Sequence, residues 1–160
     1  MSERRVGIGY DVHRLVADRP LVLGGVAVPF EFGLLGYSDA DVLTHAICDA
    51  LLGAAGLGDI GIQFPDSDER YSGISSLRLL EEVARLVREA GYRPGNVDAT
   101  IVAERPKLTS YVPMMKEAIG RAVGLSPDRI GLKATTTEGL GTVGRGEGIT
   151  AMAVCLIETA

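Results

Sequence analysis

The sequence predicts an α/β (α+β) fold, a single domain over residues 1–160 with a mixed β-sheet and helices on one face. Three observations predict it. The chain has 160 residues, and with 46% apolar and 23% charged residues it has the composition of an ordinary globular protein. Apolar runs of strand period alternate with segments of helical period. The last run, residues 149–157 (ITAMAVCLI), is apolar on both faces, as in a strand covered on both sides. Three helices can cover one face of such a sheet. The other face needs a partner, so the chain is expected to be a homo-oligomer whose sheets pack together. Its 21 glycines, and only 3 Phe, 5 Tyr and no Trp, leave few bulky side chains to fill a core alone.

Residues 6–13 read as a strand ending in Asp11-Val12-His13. Residues 21–30 (LVLGGVAVPF) read as two short strands around Gly24-Gly25, a hairpin signal. Residues 31–37 form a loop. Ser38-Asp39-Ala40-Asp41 then opens a helix, with Ser38 capping the free amides and Asp41 reaching back as in a capping box. The helix runs to Leu57. A polar loop of 13 residues, 58–70, follows, long enough to suggest a function. A second helix covers 76–90 and stops at Gly91. Residues 97–103 are a strand, 111–123 a third helix ending at Gly124, and 130–136 a strand. Five glycines lie within 138–148, before the final strand.

Composition excludes several classes of function. A formal charge of −5 argues against a broad basic surface for nucleic acid. No apolar run approaches the roughly 20 residues that span a bilayer, so no membrane partner is expected. Cys48 and Cys155 lie far apart in apolar runs and fit buried free thiols in a reducing compartment. The first residues, MSERRVGIGYDVH, lack the apolar stretch of a signal peptide, which gives a cytoplasmic expectation.

The chain has only two histidines. Asp11 and His13 are two apart on a strand and point to one face. With His45, in the second turn of the first helix, they would make a three-ligand set with an open fourth position, the arrangement of catalytic zinc. Spacing alone leaves open whether His45 meets the strand or each histidine is a satisfied polar residue. Asp41 or Asp49, one turn either side of His45, would orient its imidazole; capping and a solvated face are the alternatives. The Lys133-Ala134-Thr135-Thr136-Thr137-Glu138 segment offers hydroxyls and amides to phosphate, and Glu138 a carboxylate to Mg²⁺; on pattern alone, three strand-favouring threonines are the plainer reading. The glycine-rich turn at 141–148 matches neither nucleotide-binding glycine motif. Residues 103–108 read as a loop that can face a base edge, with Lys107 near a phosphate, or as an ordinary proline turn.

Together these segments resemble the 2-C-methyl-D-erythritol 2,4-cyclodiphosphate synthase family of the non-mevalonate isoprenoid pathway. The likeness runs from Gly7 to Ile157. It is carried by Asp-Val-His at 11–13, Ser-Asp-x-Asp at 38–41 with His45, Leu-Gly-Asp-Ile-Gly at 57–61, Phe-Pro-Asp-Ser-Asp at 64–68, Gly-Asn-Val-Asp at 95–98, Lys-Ala-Thr-Thr-Thr-Glu at 133–138 and Gly-Arg-Gly-Glu-Gly at 144–148.

The resemblance implies a homotrimer with its sheets around a three-fold axis and active sites between subunits. It implies a lyase that closes the 2-phosphate of 4-diphosphocytidyl-2-C-methyl-D-erythritol 2-phosphate onto its β-phosphate and releases CMP. Asp11, His13 and His45 would hold Zn²⁺, and Glu138 Mg²⁺ or Mn²⁺. Val12, Thr135 and Thr137 would line the substrate, and Thr136 would stabilise the transition state. Tyr37 and Ser38 would lie beside the 2-phosphate. Asp59, Ile60, Gly61, Phe64, Pro65, Asp66, Ser67 and Asp68 would hold the methylerythritol part, with residues 64–73 ordering over it. Ala103, Lys107, Leu108 and Thr109 of the neighbouring subunit would form the cytosine pocket. Thr142 and Arg145 would line a cavity on the axis that takes an anion or an isoprenoid diphosphate. Two positions depart from relatives: Tyr37 replaces a frequent histidine, and Thr142 a frequent aromatic.

Overall fold

β7 (Gly148–Thr159) is the apolar run read from the sequence, and it forms the middle of the sheet. The computed structural model describes residues 2–160. The remaining strands are β1 (Arg4–Ala17), β2 (Leu21–Leu23), β3 (Val26–Val28), β4 (Phe32–Leu34), β5 (Tyr92–Val102) and β6 (Ile130–Thr135). The helices are α1 (Val42–Ala55), α2 (Ile60–Gln63), α3 (Ser76–Glu89), α4 (Val112–Val123) and α5 (Gly141–Gly144). Five strands run in the order β4-β1-β7-β5-β6, and β2 and β3 make a separate hairpin. β7 is antiparallel to both β1 and β5, whereas β5 and β6 are parallel. The expected mixed sheet is therefore present.

Among the described residues, helices pack on one face of the sheet only. Along β1 and β7 the buried residues alternate, with Gly7, Gly9, Ile149, Ala151, Ala153, Cys155 and Ile157 turned inward. The opposite face carries Val6, Ile8, Tyr10, Val12, Met152 and Val154, all exposed. Ile8 pairs with Val154 and Tyr10 with Met152, so these side chains form one apolar stripe across two strands. α1 is buried nearly all round, including Thr44 and His45, because it lies between the sheet and the outer helices. α3 is amphipathic and buries Leu79, Leu80, Val83, Ala84 and Val87. Both cysteines are free and buried, as expected. Among the described residues no helix is long and apolar enough to cross a membrane.

Several local expectations are corrected. β1 continues past His13 to Ala17 because β4, a strand within the segment read as a loop, pairs with its far end, Leu15 with Leu34. β5 starts five residues earlier than expected: the turn-like Tyr-Arg-Pro-Gly is held against β7, with a register shift between Pro94 and Asn96. The cap of α1 is Asp41 itself, which accepts from the Thr44 amide; Ser38 is no part of a capping box. The helix ends at Ala55, where Gly56 takes a left-handed φ of 73°. The polar loop contains α2, capped by Asp59, and a 3₁₀ turn at Glu69–Tyr71 capped by Asp68.

Candidate metal and phosphate site

The close seating of α1 on β1 places the first cluster. A Cβ at Gly7 would lie 1.9 Å from the Ala50 carbonyl oxygen, and one at Gly9 1.8 Å from that of Ala46. Only glycine lets the helix backbone approach so closely. Asp11 and His13 follow at the same parity on β1, just where the first turn of α1 presents His45. Asp11 Oδ2 lies 2.9 Å from His13 Nε2 and 3.1 Å from His45 Nδ1, and the two nitrogens are 3.3 Å apart. A tetrahedral site with bonds of about 2.0–2.1 Å sets its ligand atoms roughly 3.3–3.4 Å apart. The three side chains therefore need little movement to hold a divalent ion, and their mixed oxygen and nitrogen donors suit zinc.

Each imidazole has its other nitrogen engaged. His13 Nδ1 donates to the Leu35 carbonyl at 2.9 Å, leaving Nε2 free to ligate. His45 Nε2 lies 2.8 Å from Ser76 Oγ, with Ser38 Oγ at 3.1 Å. The Ser76 hydroxyl in turn donates to Asp39 Oδ1, and its amide to Asp39 Oδ2 at 3.0 Å. This Asp39–Ser76–His45 chain orients the ring and directs Nδ1 to the cluster. Neither aspartate expected in that role performs it. Asp41 is fully buried and accepts from the Gly24, Gly25 and Thr44 amides and the Thr44 hydroxyl, tying the β2–β3 hairpin to α1. Asp49 accepts from the Ile60 amide at 2.9 Å and anchors α2. Nothing in the sequence marks Ser76 as the partner of a histidine 31 residues upstream.

Burial pushes the Asp11 carboxyl up, but hydrogen bonds from His13 and His45 outweigh it and bring the group down to about 2. Burial likewise depresses His13, and its bond to Asp11 overrides this and raises it.

A cavity of about 300 Å³ opens beside the cluster. It brings together Asp11, His13, His45, Tyr37, Ser38, Ile60, Gly61, Phe64 and Asp66 from the expected set, and adds Gly36, Tyr71, Ile74 and Leu79. Asp59, Pro65, Ser67 and Asp68 belong to the same segment but do not line it. The Asp59 carboxylate caps α2 through the Ile62 amide at 2.9 Å. Tyr37 clasps this segment, its hydroxyl 3.3 Å from the Asp68 carbonyl and its own carbonyl accepting from Gly73. Val12 points away, onto the bare sheet face.

A second group lies across the sheet, at the ends of β5 and β6. Ala103 and Leu108 are buried, whereas Lys107 and Thr109 are exposed. Thr135, Thr136 and Glu138 are exposed in the isolated chain and Thr137 is half-buried. Glu138 has a φ of 56°, and its amide donates to Thr136 Oγ1 at 3.1 Å. One exposed carboxylate suits Mg²⁺ when phosphate and water complete the shell. Thr142 is exposed in α5, and Arg145 is ion-paired with Glu147 at 2.7 Å. None of these residues lines the cavity beside the cluster.

The sequence matches the YgbB family over residues 4–158. A 2-C-methyl-D-erythritol 2,4-cyclodiphosphate synthase from Desulforamulus reducens is 61% identical over 154 residues, which is 96% of this chain and 98% of that protein. The bifunctional IspDF of Campylobacter jejuni superposes with a TM-score of 0.96 at 41% identity, covering 100% of this chain and 43% of that one. A 2C-methyl-D-erythritol-2,4-cyclodiphosphate synthase solved with CDP bound superposes with a TM-score of 0.88 at 41% identity, covering 96% and 99% of the two chains.

Proposed function

The chain belongs to the YgbB family, that of the 2-C-methyl-D-erythritol 2,4-cyclodiphosphate synthases, and from that premise we propose that it converts 4-diphosphocytidyl-2-C-methyl-D-erythritol 2-phosphate into the 2,4-cyclodiphosphate and CMP. The observation that carries this reading is the Asp11–His13–His45 cluster, with both outer imidazole nitrogens engaged, at the edge of a substrate-sized cavity.

An oxygen of the 2-phosphate bonds to the β-phosphorus. The bond from that phosphorus to the oxygen shared with the α-phosphate breaks, and CMP leaves with this oxygen. The attacking phosphate is already anionic near pH 7, so no general base is needed. The task is to position two anions against their repulsion. Asp11, His13 and His45 would hold Zn²⁺ and Glu138 Mg²⁺ or Mn²⁺, and the bound ions supply positive charge to offset that repulsion. Tyr37 and Ser38, beside the cluster, offer hydroxyls to the 2-phosphate. The 59–61 and 64–68 segments enclose the methylerythritol part. Thr136 meets the phosphate on which negative charge grows.

The apolar stripe on β1 and β7 supports the homotrimer, since a single chain leaves it in water. Trimerisation would bring the cytosine loop at 103–109, and with it 135–138, to the cluster of a neighbour. An anion on the axis would compete with Glu147 for Arg145. Thr142 gives an isoprenoid tail no aromatic lining there. A cytoplasmic location agrees with the two free thiols.

Incubating purified protein with the substrate and Mg²⁺ tests the reading, with ³¹P spectroscopy of the products. CMP and a cyclic diphosphate support it. A linear product would mean hydrolysis, and binding without turnover a sensor; either refutes it. Sedimentation as a monomer at micromolar concentration would refute the trimer.

A further inference from the structure

The loop that carries Thr136 and Glu138 is held from outside by a residue of the neighbouring loop. Glu104 follows β5, and the two loops run side by side, with the Ala103 amide donating to the Thr135 carbonyl at 2.9 Å. Glu104 Oε1 accepts from the Thr137 amide at 2.9 Å and from the Gly139 amide at 3.2 Å. One carboxylate oxygen thus takes the two amides that flank Glu138. The Thr137 hydroxyl is 3.1 Å from the same oxygen but 2.7 Å from the Leu140 carbonyl. Its single proton goes to the shorter contact, so the grip is on the backbone.

That grip falls where the backbone is strained. Glu138 adopts a φ of 56°, which a non-glycine residue keeps only when its surroundings fix it. The loop is also packed tightly on itself: a Cβ at Gly144 would lie 2.2 Å from the Gly139 carbonyl carbon. The Thr137 and Gly139 amides hold the Glu104 carboxyl below its ordinary range, so it is ionised near pH 7. An ionised acceptor binds backbone amides more strongly than a neutral one.

We propose that Glu104 is a positioning residue that fixes the left-handed turn at Glu138, so that the Thr136 hydroxyl and the Glu138 carboxylate are presented together to phosphate and divalent cation. This rests on the roles proposed above for those two residues. Because Glu104 also belongs to the 103–109 loop, it makes the base end and the phosphate end of the nucleotide site one rigid piece.

The test compares wild type, Glu104→Ala and Glu104→Gln. Free Mn²⁺ is followed by electron paramagnetic resonance with CDP present. kcat and KM are measured with the cytidine substrate, and exchange of the Thr137 and Gly139 amides by hydrogen–deuterium methods. Glu104→Ala should weaken Mn²⁺ binding about tenfold, the usual effect of losing an outer partner of a metal ligand. It should lower kcat more than it raises KM, speed exchange of both amides, and leave zinc content unchanged. Glu104→Gln, whose amide oxygen can accept the same bonds but without the charge, should recover a large part of all three. Wild-type Mn²⁺ affinity and kcat in Glu104→Ala would overturn the proposal, and so would a Gln variant as impaired as Ala. If wild type itself neither turns over nor binds Mn²⁺, the functional reading falls instead, and amide exchange alone then decides whether Glu104 holds the loop.

Discussion

Replacing Gly9 by alanine should damage the candidate metal site without altering any side chain in it. The new methyl would lie 1.8 Å from the Ala46 carbonyl oxygen and 2.8 Å from the Ala50 amide nitrogen. A carbon rests against a carbonyl oxygen at about 3.3 Å or more, so the gap is short by about 1.5 Å. Both obstacles are backbone, and no rotamer change relieves them. α1 must lift from β1, at a cost in the upper part of the ~1–3 kcal/mol range for overpacking. His45 immediately precedes Ala46 and moves with it, away from Asp11 and His13. Metal sites tolerate displacements of about 0.2 Å, so zinc affinity should fall by well over tenfold. Gly7→Ala meets the Ala50 carbonyl at 1.9 Å, one turn further from His45. It should cost similar stability but less zinc affinity. Urea unfolding gives the first quantity, and competition with a chromophoric chelator the second. A Gly9→Ala protein that binds zinc like wild type would refute the reasoning, as would a Gly7→Ala protein that loses more zinc affinity than Gly9→Ala.

Three further outcomes are expected. Ser76→Ala removes the nearer acceptor for His45 Nε2, leaving only Ser38 Oγ at 3.1 Å, and should weaken zinc binding by about 10-fold; chelator competition that finds no change would exclude the Asp39–Ser76–His45 chain as an orienting device. Asp41→Ala leaves the buried Gly24 and Thr44 amides, and the more exposed Gly25 amide, without their acceptor. At about 1–3 kcal/mol for each stranded donor, it should lower the urea midpoint more than any single change at the metal cluster. In chelator-treated protein, Asp11 at about 2 against an ordinary 3.8 favours folding by about 2 kcal/mol above pH 4, and this is lost as pH falls towards 2. The raised His13 is the other side of the same contact, whose stabilisation is full below pH 6.5 and lost as pH rises through the folded value of His13. Stability of the stripped protein should therefore peak between about pH 4 and 6.5, and Asp11→Asn should flatten the profile; an unchanged profile would contradict the ion pair.

What could be read in the sequence was what depends on near neighbours along the chain. Strand parity put Asp11 and His13 on one side, and helical period put His45 in the first helix. The family motifs tied these residues together, and the structure brings them within hydrogen-bonding distance. The misses share a cause. Asp41 was read from its local motif, yet two of its donors lie 16 and 17 residues upstream. Ser76 acts on a histidine that only tertiary packing brings near. β4 and the start of β5 have the glycines and proline of turns, and it is pairing with β1 and β7 that makes them strands. Local propensity is a weak term that such pairing overrides.

The alternation along β1 has a consequence for how this chain can vary. Odd residues 7 to 13 seat the helix and carry two of the three clustered side chains. Even residues 6 to 12 supply four of the six side chains of the bare apolar stripe. A one-residue insertion or deletion before Gly7 that shifts the strand would exchange the two sets at once. It would bury valine and tyrosine under α1 and turn the carboxylate and imidazole to the stripe. Compensation elsewhere cannot mend both errors, because a change that rescues one side leaves the other. Length changes should therefore be tolerated in the exposed turn after α3, and rejected throughout β1. A library of single-codon insertions, scored for growth of cells that depend on this chain, would map that forbidden stretch directly.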